Sequence, residues 1–143
     1  MNNNKSEKNR DIFISYAQNF EDVLLNRVFR DRLDGFYIDI GALHPTSDSV
    51  TRAFYDRGWS GINIEPIKDF YDAICRERCR DTNLNIAVSD RAGNLEFFQI
   101  VQQPGNSTLD KKIADKVASE KGLDVISYNV AVNTLADICE EYI

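Results

Sequence analysis

The sequence predicts an α/β fold built on a parallel sheet, and two observations carry that prediction. Short apolar runs of the kind that buried strands show alternate with amphipathic helical stretches between residues 36 and 88. The first two runs also end at residues suited to ligand contact, Gly41 after the first and Glu65 after the second. A strand, helix, strand, helix, strand order implies parallel pairing with right-handed crossovers.

The elements follow in order. Asn19 is placed to cap a first helix with Asp22 at its third position, and Leu24, Leu25, Val28, Phe29 and Leu33 recur on one face until Gly35 breaks it. Phe36-Tyr37-Ile38-Asp39-Ile40 reads as the first strand and runs into Gly41-Ala42. Ser47-Asp48-Ser49 opens a second helix with Val50, Ala53 and Phe54 inward, closed at Gly58. The second strand, Trp59-Ser60-Gly61-Ile62-Asn63-Ile64, ends in Glu65. Pro66 then starts a helix with Phe70, Tyr71, Ile74 and Cys75 on its apolar face. Leu84-Asn85-Ile86-Ala87-Val88 is the third strand.

Beyond it the pattern changes. Asp90-Arg91-Ala92-Gly93-Asn94 reads as a turn, Leu95-Glu96-Phe97-Phe98-Gln99-Ile100 as a strand and Gln102-Gln103-Pro104-Gly105-Asn106 as a loop. A helix from about Ser107 carries Leu109, Ile113, Val117 and Ala118 and stops at Gly122. Residues 125–132 are strand-like, are expected to pair with the strand ending at Ile100 and with it to extend the sheet beyond the third strand, and Thr134 with Asp137 opens a last helix.

With 143 residues the chain is one domain's worth, divided into a polar tail over 1–14 and a domain over 15–143. Composition, with 43% apolar and 28% charged residues, is that of an ordinary globular protein. No apolar run reaches the roughly 18 residues of a membrane span, and the polar start has no signal-peptide core. The expected compartment is the cytoplasm, with no membrane partner. A net charge of -6 argues against a general nucleic-acid binder. Arg76-Glu77-Arg78-Cys79-Arg80, the densest basic cluster, reads as the solvated end of a helix. Cys75, Cys79 and Cys139 give no disulfide framework, and with His44 they make a poor supply for a metal needing about four ligands, so no metal is expected.

Two features carry chemistry. In Asp39-Ile40-Gly41-Ala42 a glycine at a strand's carboxyl end lets backbone approach a ligand, or else merely turns the strand toward a helix. Glu65 can accept both hydroxyls of a ribose, and it can also cap the helix that Pro66 starts. No G-x-G-x-x-G and no G-x-x-x-x-G-K-[ST] occurs, which disfavours a nicotinamide-dependent enzyme and points to a nucleoside cofactor without phosphates. A sulfonium suits the acidic surroundings of Asp39.

Several segments together closely resemble the FkbM family of methyltransferases. They are Ser15-Tyr16-Ala17-Gln18-Asn19-Phe20-Glu21-Asp22, Gly35-Phe36-Tyr37-Ile38-Asp39-Ile40-Gly41-Ala42-Leu43-His44-Pro45, Gly58-Trp59-Ser60-Gly61-Ile62-Asn63-Ile64-Glu65-Pro66, Asn85-Ile86-Ala87-Val88-Ser89-Asp90 and Asn106-Ser107-Thr108-Leu109. The resemblance implies a Rossmann-like class I methyltransferase sheet, truncated after the first three parallel strands plus the inserted strand pair. It implies S-adenosyl-L-methionine as cofactor, with Asp39, Gly41 and Ala42 holding its methionine part, Glu65 its ribose, and Ser89 and Asp90 near the adenine.

Gln18, Glu21 and Asp22 either cover that site or cap the first helix. His44 either serves as general base toward an acceptor hydroxyl or shapes its loop. The implied activity is O-methylation of a sugar or secondary-metabolite hydroxyl, with a small-molecule or glycan acceptor. The alternative is a truncated, non-catalytic cofactor-binding or interaction module. Relatives continue into a fourth strand beside the first, so here the first strand becomes an edge. Such an edge invites a homodimer or a borrowed strand, or marks a fragment of a longer product.

Overall fold

The computed structural model describes residues 12–143, so most of the expected tail lies outside the described residues. It is an α/β structure with two three-stranded sheets. Strands β1 (Phe36–Ile40), β2 (Ser60–Ile64) and β3 (Thr82–Leu84) pair in parallel in the order β1-β2-β3. Strands β4 (Ala87–Val88), β5 (Gly93–Ile100) and β6 (Val125–Asn133) form the second sheet in the order β4-β6-β5, with β4 parallel and β5 antiparallel to β6. The expected late strand pair is therefore present, with Phe98 opposite Ser127, but it belongs to a second sheet with β4 instead of extending the first sheet beyond β3.

The single third strand of the sequence reading is two short ones. The Asn85 side-chain amide donates to the carbonyls of Glu65 (2.8 Å) and Pro66 (3.1 Å), bonds made by a side chain just where β3 stops. The backbone then changes partner, so that Ala87 and Val88 lie against Val132 and Asn133. Asn85 thus ties the turn after β2 to the point where the two sheets meet.

Five α-helices and one short 3-10 turn (Pro104–Asn106) complete the described chain; the α-helices are α1 (Glu21–Val28), α2 (Arg52–Asp56), α3 (Lys68–Glu77), α4 (Lys111–Lys121) and α5 (Leu135–Tyr142). Four begin later than their sequence signals suggest, α3 among them, which starts at Lys68 rather than at Pro66. In α1 the residue before the helix is Phe20, at φ 61, rather than Asn19, and Asp22 instead accepts bonds from Ser15 Oγ and the Tyr16 and Ala17 N–H groups. The helix ends at Val28, and Leu24, Val28 and Leu33 are exposed rather than core. Before α2 the 47–51 segment is a loop with Asp48 at φ 57. In α4 Asp110 is the N-cap, its carboxylate accepting from the Lys112 and Ile113 N–H groups. Thr134 caps α5 as its spacing with Asp137 suggests, accepting the Asp137 N–H at 3.0 Å.

Alternation divides the first sheet into two unlike faces. Ile38, Ile62, Ile64 and Leu84 point one way, onto Ile138 of α5, in an apolar cluster where full burial of each isoleucine contributes roughly 1.5–3 kcal/mol. Tyr37, Asp39, Gly61, Asn63 and Asn83 point the other way, toward α2 and α3. Gly61 is there for lack of space: a Cβ would fall 2.2 Å from the Tyr37 carbonyl oxygen. A second cluster, Ile67, Ala87, Phe97, Val130 and Val132, fills the space beside β4-β6-β5. Among the described residues β1 pairs only with β2, and Phe36 and Ile40 on it are half exposed.

Candidate functional site

The carboxyl ends of β1 and β2 lie side by side, where open α/β sheets bind ligands. The Gly41 and Ala42 N–H groups both donate to the Ile64 carbonyl, at 2.8 and 3.1 Å, and fold the chain over the end of β2. Gly41 sits at φ 73, which side chains disfavour, yet a Cβ there would meet nothing within 4 Å. Conformation, not crowding, requires the glycine, and the space above it is open.

Glu65 occupies the next position beyond β2 and is 2% exposed. One carboxylate oxygen accepts the Leu43 N–H at 2.7 Å and the other the Ile67 N–H at 2.7 Å. Leu43 aims its N–H there from a left-handed backbone, φ 54, uncommon for a residue with a side chain. Each Glu65 oxygen retains a lone pair, the arrangement a vicinal diol can meet. Burial raises the Glu65 carboxyl above its ordinary range, offset in part by the two N–H bonds, and the nearby Asp39 charge raises it further.

Two cavities open on either side of the Gly41 turn and share Ile40, Gly41, Leu43, Pro104 and Gly105 as walls. The first, about 350 Å³, holds Glu65 among apolar neighbours that include Ile67, Val88, Phe97 and Leu109. The second, about 820 Å³, is polar and is lined by Gln18, Asp39, Asp48, Gln103, Asn106 and Lys121 among others. A third cavity of about 370 Å³, between Leu25, Phe29, Phe36, Phe54 and Trp59, lies at the amino end of β1, away from these groups and from the strands' carboxyl ends.

Beneath the site is a buried polar network. Arg78, 1% exposed, donates from Nε and Nη2 to the Pro45 carbonyl at 3.1 and 2.9 Å, and from Nη2 to Ser49 Oγ at 2.8 Å. Its Nη1 lies 3.8 Å from Asp81 and bonds Tyr37 Oη, which donates to Asp81 at 2.5 Å. The solvated helix end expected for the 76–80 cluster is therefore wrong for Arg78. Its neighbours in sequence are exposed, but the chain turns inward at this residue as α3 ends.

Asp39 accepts the Thr51 hydroxyl at 2.6 Å. Burial raises its carboxyl above the usual range, while the Thr51 bond and the Arg78 charge pull it back in part. Arg78 already faces Asp81, so Asp39 is the surplus negative charge of the group. An acid whose folded pKa is raised adds stability at low pH and loses that contribution as pH rises through the raised value. Asp39→Asn keeps an acceptor for Thr51 and removes the charge. It is expected to raise the melting temperature by a few degrees near about pH 7 and by much less near about pH 4. A lower melting temperature at neutral pH would show that the charge stabilises the fold.

Comparison with protein families decides the affiliation: the model of the methyltransferase FkbM domain matches residues 39–143. The chain belongs to the FkbM methyltransferase family. No curated protein and no solved structure matches it. The matched stretch of the FkbM domain begins at Asp39 and takes in the Gly41 turn, Glu65 and both sheets.

The other residues that the FkbM resemblance marks are placed unevenly. Gln18 lines the polar cavity, whereas Asp22 is fully buried as an anchor for the preceding loop and Glu21 accepts bonds from Asn19. His44 Nδ1 accepts the Thr46 and Ser47 N–H groups, at 3.1 and 2.9 Å, and its ring stands against Phe70. With Nδ1 so engaged, a neutral imidazole carries its proton on Nε2, and the bonds describe a loop-shaping side chain. Ser89 and Asp90 lie past β4, Ser89 Oγ donating to Asp90 at 3.2 Å, while the wall of the apolar cavity is formed by Ala87 and Val88 of β4 itself. Leu43, Phe97, Gln103 and Lys121 line the two cavities without having been singled out in the sequence as site residues. Among the described residues no group of three or more His, Cys, Asp or Glu is placed to hold a metal, and no helix is long and apolar enough to cross a membrane.

Proposed function

We propose that the FkbM domain binds S-adenosylmethionine across the Gly41 turn and directs its methyl group to a hydroxyl of a sugar or secondary metabolite. The observation that carries this reading is the pair of unlike cavities meeting at Gly41. An apolar space with one diol-competent carboxylate suits an adenosine, and a polar, acid-containing space suits a charged amino-acid end with room for an acceptor. When bound, the cofactor supplies a methyl group on an electrophilic sulfonium.

The chain's own residues then have defined tasks. Glu65 takes the two ribose hydroxyls on its free lone pairs. Ile67, Val88, Phe97 and Leu109 cover the base and keep water from it. Asp39 and Ala42 flank the turn on the methionine side, with the Asp39 carboxylate contributing negative potential toward a cation. Ser89 and Asp90 stand just beyond the adenine end. Alignment of acceptor oxygen, carbon and sulfur dominates such a transfer, so a strong base is dispensable and His44 serves best by holding its loop.

The test is calorimetry with S-adenosylhomocysteine, followed by incubation with methyl-labelled S-adenosylmethionine and a panel of monosaccharides, oligosaccharides and polyols. Saturable binding and alkali-stable label in an acceptor are expected. Binding without transfer to any of these acceptors supports the non-catalytic module instead. Absence of binding at millimolar ligand would sink both.

A further inference from the structure

We infer that the open edge of β1 is a self-association surface, on which a second copy of this chain docks its own β1 antiparallel, about a two-fold axis at Ile38. This holds whether or not the Gly41 site binds S-adenosylmethionine. At one end of β1 the Ser60 N–H donates to the Gly35 carbonyl at 3.3 Å, and at the other the Gly41 N–H donates to the Ile64 carbonyl at 2.8 Å. The parallel register runs unbroken between these two bonds, so Tyr37 and Asp39 turn their N–H and C=O groups to β2 while Phe36, Ile38 and Ile40 turn theirs outward. Among the described residues no other strand pairs with that edge.

A closed dimer presents the same patch from both copies, which for a strand edge means antiparallel pairing. Centring the axis on Ile38 sets that residue opposite its own copy, and Phe36 of each chain opposite Ile40 of the other. All of these are hydrogen-bonded pairs that exchange both N–H···O bonds, so every outward group on the two edges is satisfied. A shift of the register leaves Phe36 or Ile40 without a partner. The side chains match the same register. Phe36 and Ile40 are 50% and 51% exposed, and the pairing brings them together on the face where Ile38 already packs onto the cluster with Ile138. The charges match as well. Arg57 reaches the carbonyls of Arg30 and Arg32 ahead of β1, where these cations outnumber Asp31 and Asp34. Beyond the carboxyl end, Asp39, Asp48 and Glu65 outnumber Lys121. Antiparallel docking sets the basic end of one copy beside the acidic end of the other.

Sedimentation equilibrium of the full chain is expected to give twice the chain mass at about 100 µM. Phe36→Lys and Ile40→Lys each enter the interface twice and are expected to weaken the dimer by at least about tenfold. Cross-linking reads the register, in a chain whose Cys75, Cys79 and Cys139 are replaced by serine. Phe36→Cys and Ile40→Cys chains oxidised as a mixture should join through a disulfide, because such paired residues stand about 5.5 Å apart between Cα atoms. Neither variant should cross-link alone. A parent chain that stays monomeric at about 100 µM overturns the dimer and leaves the edge for a strand from elsewhere. A dimer unaffected by both lysines, or one in which either cysteine variant joins to itself and the mixture adds nothing, overturns this pairing.

Discussion

Glu65→Ala should abolish detectable S-adenosylhomocysteine binding, a loss of more than about 100-fold, and destabilise the fold by roughly 2–4 kcal/mol. The two effects have separate origins in one side chain. Its oxygens are the acceptors of the Leu43 and Ile67 N–H groups. Removing the carboxylate orphans both donors at a position that is 2% exposed, and each buried unpaired donor costs about 1–3 kcal/mol. Leu43 also loses the bond that accompanies its left-handed backbone, so the Gly41 turn loosens along with the ligand contacts. In the proposed complex the binding loss is that of two charge-assisted bonds from the ribose hydroxyls to Glu65, each worth about 1.5–3 kcal/mol.

Glu65→Gln separates these effects. It keeps the volume and one acceptor oxygen, so the fold should survive with a smaller loss, while its amide presents a donor where one N–H needs an acceptor. Affinity should still fall by at least about tenfold. Melting curves and calorimetry on both variants read the two effects independently. A Glu65→Ala chain that stays folded and binds within a few-fold of the parent would remove Glu65 from the site.

How much of this was legible in the sequence follows from the range over which each residue acts. The Gly41 turn and Glu65 were legible because a buried parallel strand is a nearly unbroken apolar run, and what stands at its end is a local fact of the chain. The partition of β3 from β4 was not, because Asn85 reads as one polar residue in an apolar stretch until its amide is seen bonding Glu65 and Pro66, about twenty residues back. The apolar stripe of α1 was legible as a periodicity but not as a burial. Leu24 and Val28 repeat at helical spacing, yet among the described residues nothing covers them. The far wall of the two cavities, from Gln103 to Leu109 with Lys121, reads in the sequence as a loop running into a helix, and neither signal points at a ligand. It reaches the cavity because Phe98 bridges to Thr108 and folds the loop back over the sheet.

Arg78 is the clearest case of long-range meaning, and its replacement should give the largest stability loss in the chain. Arg78→Met is expected to destabilise by about 3–5 kcal/mol, and to lower the melting temperature by on the order of 10 °C. Methionine fills the volume, so the loss isolates the polar contacts. The Pro45 carbonyl would lose two donors and Ser49 Oγ one, and Asp81 would lose the cation at 3.8 Å. Asp81 would keep bonds from Tyr37, the Gly61 N–H and Asn63, so the damage should concentrate in the 45–51 loop rather than in the sheet. That loop supplies Asp48, Ser49 and Val50 to the polar cavity, so weaker S-adenosylhomocysteine binding should accompany the loss even well below the melting temperature. The double variant with Asp81→Asn should recover part of the stability, because it removes the buried charge left without its partner. An Arg78→Met chain within about 1 kcal/mol of the parent would instead mean that water reaches Pro45 and Ser49 and takes over the bonds that the guanidinium makes.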